Sequence, residues 1–185
     1  KYDAVLVNLR KAIATMVGYL LERGFTKIGY IGGRDMDNGV ESIDIRETEF
    51  IVQMKKMNLY DEKYMIVGDF SIDSAYEMTL KHISDKKELP EAFVIANDSM
   101  AIGALRAFQQ NRIRVPKDIS IISINDIPTA KFTYPPLTTI KIHSEYLGIT
   151  AVRQVIDRIQ NKRDFSLKIF VGMELIERES VGQKQ

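Results

Sequence analysis

The stretch Ala96–Pro136, ANDSMAIGALRAFQQNRIRVPKDISIISINDIPTAKFTYPP, holds a strand end, a helix, a strand and a loop in one run. Asn97-Asp98 follows the apolar strand Phe93–Ala96, and Asn125-Asp126 follows the apolar strand Ile119–Ile124. Between them Ala101, Leu105 and Phe108 recur at helical spacing, with Asp98 as the expected N-cap. Val115-Pro116 breaks the chain before the second strand. Residues just past the carboxyl ends of strands line the ligand crevice of an open α/β sheet. Two side-chain amides placed there suit a neutral, hydroxyl-rich ligand, because each amide both donates and accepts.

The flanks repeat the alternation. Toward the N-terminus, Tyr2–Val7 reads as a short strand, and Leu9–Arg23 carries Ile13, Met16, Val17, Leu20 and Leu21 at helical spacing before a Gly24 stop. Ile28–Ile31 is a strand ending at Gly32-Gly33, and Arg34–Ile43 reads as a polar loop. Asp44 and Glu47 resemble a capping box for a helix burying Phe50, Ile51 and Met54. Tyr64–Val67 is a strand, and Ser71 caps a helix with Ile72, Ala75, Tyr76, Leu80 and Ile83. Toward the C-terminus follow a strand at Thr139–Ile142, a long helix marked by Leu147, Val152, Val155, Ile156 and Ile159, and a final strand at Ile169–Ile176. Strands separated by helices at this spacing predict a Rossmann-like, mostly parallel sheet with helices on both faces. A domain crossing is expected near Ile142–Glu145.

Applied to every strand, the strand-end rule brings Arg46, Phe70, Asn97 and Asn125 to one edge of the sheet. A guanidinium can donate paired N–H bonds to adjacent hydroxyls, and an aromatic ring can cover the C–H face of a sugar. Plainer readings stay open. Asn97 and Asn125 could be turn or capping residues, Arg46 could pair with Asp44 or Glu49, and Phe70 could be core.

Composition narrows the classes. The chain has 185 residues, is 45% hydrophobic and 28% charged, and carries a formal net charge of +1, so no broad basic surface for nucleic acid is implied. It has no cysteine, which excludes disulfides and thiolate metal sites, and only His82 and His143 as imidazoles. His82 reads as helix surface, and His143 as a packing or hinge residue. Asp35, Asp37, Glu41 and Asp44 lack the spacing of a calcium loop and read as a solvated loop. No phosphate-binding glycine loop follows Ile31-Gly32-Gly33, and no G-x-S-x-G elbow is present, so neither a cofactor nor catalysis is expected. No apolar run approaches a membrane span, and a cytoplasmic protein is expected. A start at Lys1 rather than Met suggests a fragment.

The motifs NDSMAIGALRAF (97–108), RVPKDISIISINDIP (114–128) and PPLTTIKIHSEYLG (135–148) resemble the effector-binding core of the lac repressor family of bacterial transcription regulators. IGYIGG (28–33), IRETEF (45–50), GDFS (68–71) and LIERES (175–180) are similar to further motifs of that family, in the same order, so that the resemblance covers nearly the whole chain. INDIPTAKFTYPPLTTI (124–140) is most similar to the subgroup of the evolved β-galactosidase repressor and related galactoside regulators. The resemblance implies a periplasmic-binding-protein-like fold of two subdomains. Residues 9–142 plus 172–185 then form the C-terminal effector-binding subdomain, and residues 1–8 and 143–171 are remnants of the N-terminal one. The family's helix-turn-helix and hinge helix have no counterpart in these residues. The 143–171 helix is expected to lack its sheet, leaving Leu147, Val152 and Val155 to seek contacts with another surface.

The resemblance also assigns roles. Arg46 matches the family's effector-contacting arginine, Phe70 its aromatic position, and Asn97 its strand-end asparagine. Asn125 stands where an effector-binding aspartate is frequent, a departure that removes a charge, and Asp126 beside it could brace the loop. Ser42 matches a further position near the sugar. Glu49 replaces a common glycine and is expected on the surface. The implied function is sugar-responsive transcription regulation, with galactose or a galactoside as effector and operator DNA bound by a domain outside this chain. A homodimer is implied, with Met100–Gln110 and Ile127–Tyr134 as its candidate surface. A periplasmic sugar-binding protein of the same fold is the rival reading, and an enzyme acting on nucleotide-sugars a more distant one.

Overall fold

A computed structural model of the chain describes residues 2–37, 40–85 and 88–184. In chain order it contains β1 (Ala4–Val7), α1 (Leu9–Glu22), β2 (Ile28–Gly33), β3 (Asp35–Asp37), β4 (Val40–Ser42), α2 (Ile45–Lys56), β5 (Met65–Gly68) and α3 (Ile72–Ser84). Then come β6 (Ala92–Ile95), α4 (Asp98–Gln110), β7 (Ser120–Asn125), β8 (Thr138–Ile142), α5 (Ser144–Asn161), β9 (Lys168–Val171) and β10 (Met173–Ile176).

Local signals set the ends of these elements. Asn8 caps α1 by accepting from the Lys11 amide, and Gly24, at φ 85°, donates back to the Leu21 carbonyl as the helix stops. The α1 stripe Ile13, Met16, Val17 and Leu20 is buried, as its spacing predicts. All four residues of β6 are buried, which fits a central strand covered on both faces. Phe93 of β6 stacks on Phe108 of α4 with ring centroids 6.0 Å apart. Each such large side chain contributes about 1.5–3 kcal/mol on burial.

The main sheet has the order β10-β8-β7-β6-β2-β5. Neighbours from β8 to β5 pair in parallel, and β10 lies antiparallel on the β8 edge. The chain order turns back between β2 and β6, so the switch point lies at their carboxyl ends. A second sheet pairs β1 with β9 in parallel, and α5 packs beside β1. Three single residues join this smaller unit to the main sheet and its helices: Asn8 between β1 and α1, His143 between β8 and α5, and Gly172 between β9 and β10.

Several expectations need correction. Residues 34–43 are not a plain loop: β3 and β4 pair antiparallel, and residues 38–39 lie outside the described residues. Arg34 fastens that pair, bonding Glu41 on β4 and, through two nitrogens, the buried Glu47 of α2. Glu47 is therefore occupied by Arg34, and the Asp44–Glu47 capping box does not close. The expected strand 169–176 is two strands in different sheets, because the chain changes sheet at Gly172. His82 is buried, not surface. Glu49 is only 8% exposed, ion-paired to Arg10 of α1 and bonded by Gln53, so an acid is held where a surface residue was expected.

The two surfaces expected to meet partners differ. In α5 no residue is buried: Val152 and Val155 are each 59% exposed and Leu147 is half-buried, so the contact expected there is not made within this chain. In α4 Met100, Ala101, Ala104, Leu105, Ala107 and Phe108 are buried, leaving Arg106, Gln109 and Gln110 on its exposed edge. The loop after β7 presents Phe132 and Tyr134, 77% and 85% exposed.

Candidate functional site

The parallel strands β2, β5, β6 and β7 deliver their carboxyl ends to one edge. Asp44 caps α2 there, its carboxylate accepting from the Arg46 amide at 2.8 Å. It also holds the Arg46 side chain, through Nε at 2.7 Å and Nη2 at 3.1 Å. Arg46 Nη1 reaches across to the Ala96 carbonyl at the end of β6, 2.9 Å away. The guanidinium lies over the Phe70 ring, 4.6 Å from its centroid. Phe70 is half-buried against the core just past β5.

Asn97 follows β6, and its side chain accepts from the Met100 amide at 2.8 Å, so Asn97 and not Asp98 is the N-cap of α4. Its Nδ2 makes a long contact of 3.5 Å to the Phe70 carbonyl. Asn125 ends β7, with φ 123°, and its amide makes no hydrogen bond among the described residues. Arg46 and Asn97 thus both meet Phe70, Arg46 also bonding the Ala96 carbonyl next to Asn97, and Asn125 lies at the end of the strand beside β6. Ser42 ends β4 on the exposed β3–β4 pair and makes no side-chain hydrogen bond with them. Arg46 pairs with Asp44, not Glu49, and three of its five N–H groups are engaged by the protein.

Asp98, the first residue of α4, is fully buried. It accepts from Ser123 Oγ, from Thr139 Oγ1 at 2.7 Å and from the Ile127 amide at 2.8 Å. Burial pushes its carboxyl up, outweighing those hydrogen bonds. Asp126 does brace its loop, by an ion pair to Arg178 at 2.6 Å. Of the two partners the sequence offered Arg46, the structure selects Asp44. Tyr30 carried no signal in the sequence; its ring stacks on Phe50 at 5.3 Å, and its hydroxyl is buried without a hydrogen-bond partner among the described residues. Burial raises that phenol well above its ordinary range.

Burial alone would raise the Asp44 carboxyl, but hydrogen bonds from the Arg46 side chain and backbone win and hold it below the usual carboxylate range. With the folded value below the unfolded one of about 3.9, the pair's stabilisation is full above that pH and drains as pH falls through the depressed value. Melting curves from pH 6 to pH 2 should therefore show an acid-side loss of Tm that is shallower in Asp44→Asn. An identical slope in the variant would refute this coupling.

No helix among the described residues is long and apolar enough to cross a membrane, and no group of three or more acidic or histidine side chains there could hold a metal ion. A cavity of about 490 Å³, lined by Phe25, Glu91, Pro116 and Lys117, sits at the opposite, amino ends of the strands. The open α/β sheet carries these polar side chains at its switch point, where folds of this class place small-ligand sites. The chain belongs to the periplasmic binding protein-like domain family, whose model matches residues 17–181. It is 35% identical to the HTH-type transcriptional repressor MelR of Bacillus subtilis (strain 168), over 98% of this chain and 53% of that protein. It superposes on the transcriptional regulator CelR–cellobiose complex with a TM-score of 0.82 at 24% identity, over 97% of this chain and 54% of that one. On the lac repressor dimer bound to operator and an anti-inducer the TM-score is 0.82 at 24% identity, over 95% and 52%. The chain spans about half the length of the curated relatives it matches.

Proposed function

We propose that this chain is the effector-sensing core of a sugar-responsive, DNA-binding transcription regulator, a repressor of a sugar-utilisation operon. The observation that carries the reading is the wall at the switch point: a guanidinium with two N–H groups to spare, stacked on an aromatic ring, between two asparagines. Such a wall pairs donors and acceptors with hydroxyls while the ring covers an apolar sugar face. The fold shared with a regulator solved with cellobiose supports a saccharide, and the galactoside-type motif 124–140 favours galactose or a galactoside. Arg46, Phe70, Asn97 and Asn125 would contact it, with Ser42 at the rim.

Residues 9–142 and 172–185 form one wall of the cleft, and residues 1–8 with 143–171 belong to the facing subdomain. The sugar acts by binding one relative orientation of the two subdomains more tightly than the other. Operator DNA is bound by a domain outside this chain, and the active species is a cytoplasmic homodimer built on the Phe132–Tyr134 loop and the exposed edge of α4. Relatives that are transcription regulators, not enzymes, support a binding role. Calorimetric titration of the full-length protein with galactose, lactose, melibiose, cellobiose and glucose tests the reading. Saturable binding of a galactoside, with a change in operator affinity, is the expected result. Binding of none of the five sugars would overturn it.

A further inference from the structure

Residues 125–127 hold an unusual backbone. Asn125 has φ 123° and Asp126 φ 56°, two consecutive positive values that L residues rarely adopt. Two separate anchors pin this corner. On one side the buried Asp98 carboxylate takes the Ile127 amide and is itself fixed by Ser123 of β7 and Thr139 of β8. On the other, Arg178, beyond β10, pairs with the Asp126 carboxylate and also donates to the Leu137 carbonyl at 2.7 Å. Just ahead of the two anchored residues stands Asn125, the one side-chain amide of the site that no protein group engages among the described residues. Asn97 in contrast already spends its oxygen on capping α4.

We infer that Asp98 and Arg178 are positioning residues for the effector, holding the 125–127 corner in its positive-φ form so that the free Asn125 amide faces the crevice. This rests on the effector reading above and adds to it a role for two residues that do not touch the sugar. A strained conformation persists only where its surroundings over-determine it, and the two anchors supply that restraint. Arg178 adds rigidity through its fork, which lysine cannot reproduce. Selectivity among sugars that differ at the hydroxyl facing Asn125 would then depend on an ion pair behind the site.

The test is a double-mutant cycle on the full-length protein, titrated calorimetrically with galactose, lactose and glucose. Asn125→Ala should weaken the bound sugar by about tenfold, the worth of one hydrogen bond. Arg178→Met should weaken it similarly, and the double variant should be no weaker than either single one, because Arg178 acts only through Asn125. A general structural loss would instead multiply the two effects. Should Arg178→Met fail to fold, Asp126→Asn removes the same ion pair more gently and should show the same non-additivity. Multiplicative losses, or Arg178→Met and Asp126→Asn both binding like the unaltered protein, overturn the inference alone. Absence of any sugar binding by the unaltered protein overturns the effector reading and this inference together.

Discussion

Arg46→Ala is expected to lower affinity for the proposed sugar effector by about 100-fold or more, since hydrogen bonds from a charged donor are worth about 1.5–3 kcal/mol each and two N–H groups of this guanidinium are not engaged by the protein. The fold should survive. Asp44 keeps its bond from the residue-46 amide and its partial exposure to water, so the carboxylate is not stranded in the core. A partly exposed pair of this kind costs about 1 kcal/mol to break. Arg46→Lys should fall between the two, keeping the charge over Phe70 while losing the planar fork. Calorimetry on the full-length protein, with a thermal melt alongside, separates binding from stability. A full-length protein that binds a sugar, with affinity unchanged in Arg46→Ala, would remove this residue from the site and with it the case for the wall.

Gly103→Ala is the substitution expected to damage the fold most for its size. A β-carbon there would lie 2.2 Å from the Ile72 carbonyl oxygen and 3.0 Å from the Tyr76 nitrogen. Both are backbone atoms of α3, so no side chain can rotate away, and α3 and α4 must move apart. Such overpacking costs about 1–3 kcal/mol or more, with Tm lower by about 2–4 °C per kcal/mol in a chain of this size. Because Asn97 caps α4, the shift also reaches the site, and sugar affinity should fall with stability. A melt within 1 °C or so of the unaltered protein's would show that the two helices can separate at little cost.

The parallel sheet could be read from the sequence because its strands are continuous apolar runs and its helices carry regular stripes; Phe93–Ile95 and Ile121–Ile124 are buried as those runs require. The meeting of Arg46, Phe70 and Asn97 followed from one topological rule applied to each strand end. What stayed hidden depends on partners distant in sequence. Glu49 looks like a surface acid until Arg10, 39 residues away, is seen beside it. Asp98 looks like a cap because Asp is a good one; only the fold brings Ser123 and Thr139 to its carboxylate and leaves the cap to Asn97. The β3–β4 pair is short and polar, and it is held by Arg34 rather than by an apolar face, so periodicity carries no trace of it. The switch of sheets at Gly172 is equally silent, since β-rich residues continue on both sides.

The three one-residue links at Asn8, His143 and Gly172 have a mechanical consequence. Each residue offers only two soft torsions. A unit tethered three times by such short pieces has almost no freedom to slide or drift relative to its neighbour. The motion such tethers leave is a tilt, which is the motion the proposed effector response requires.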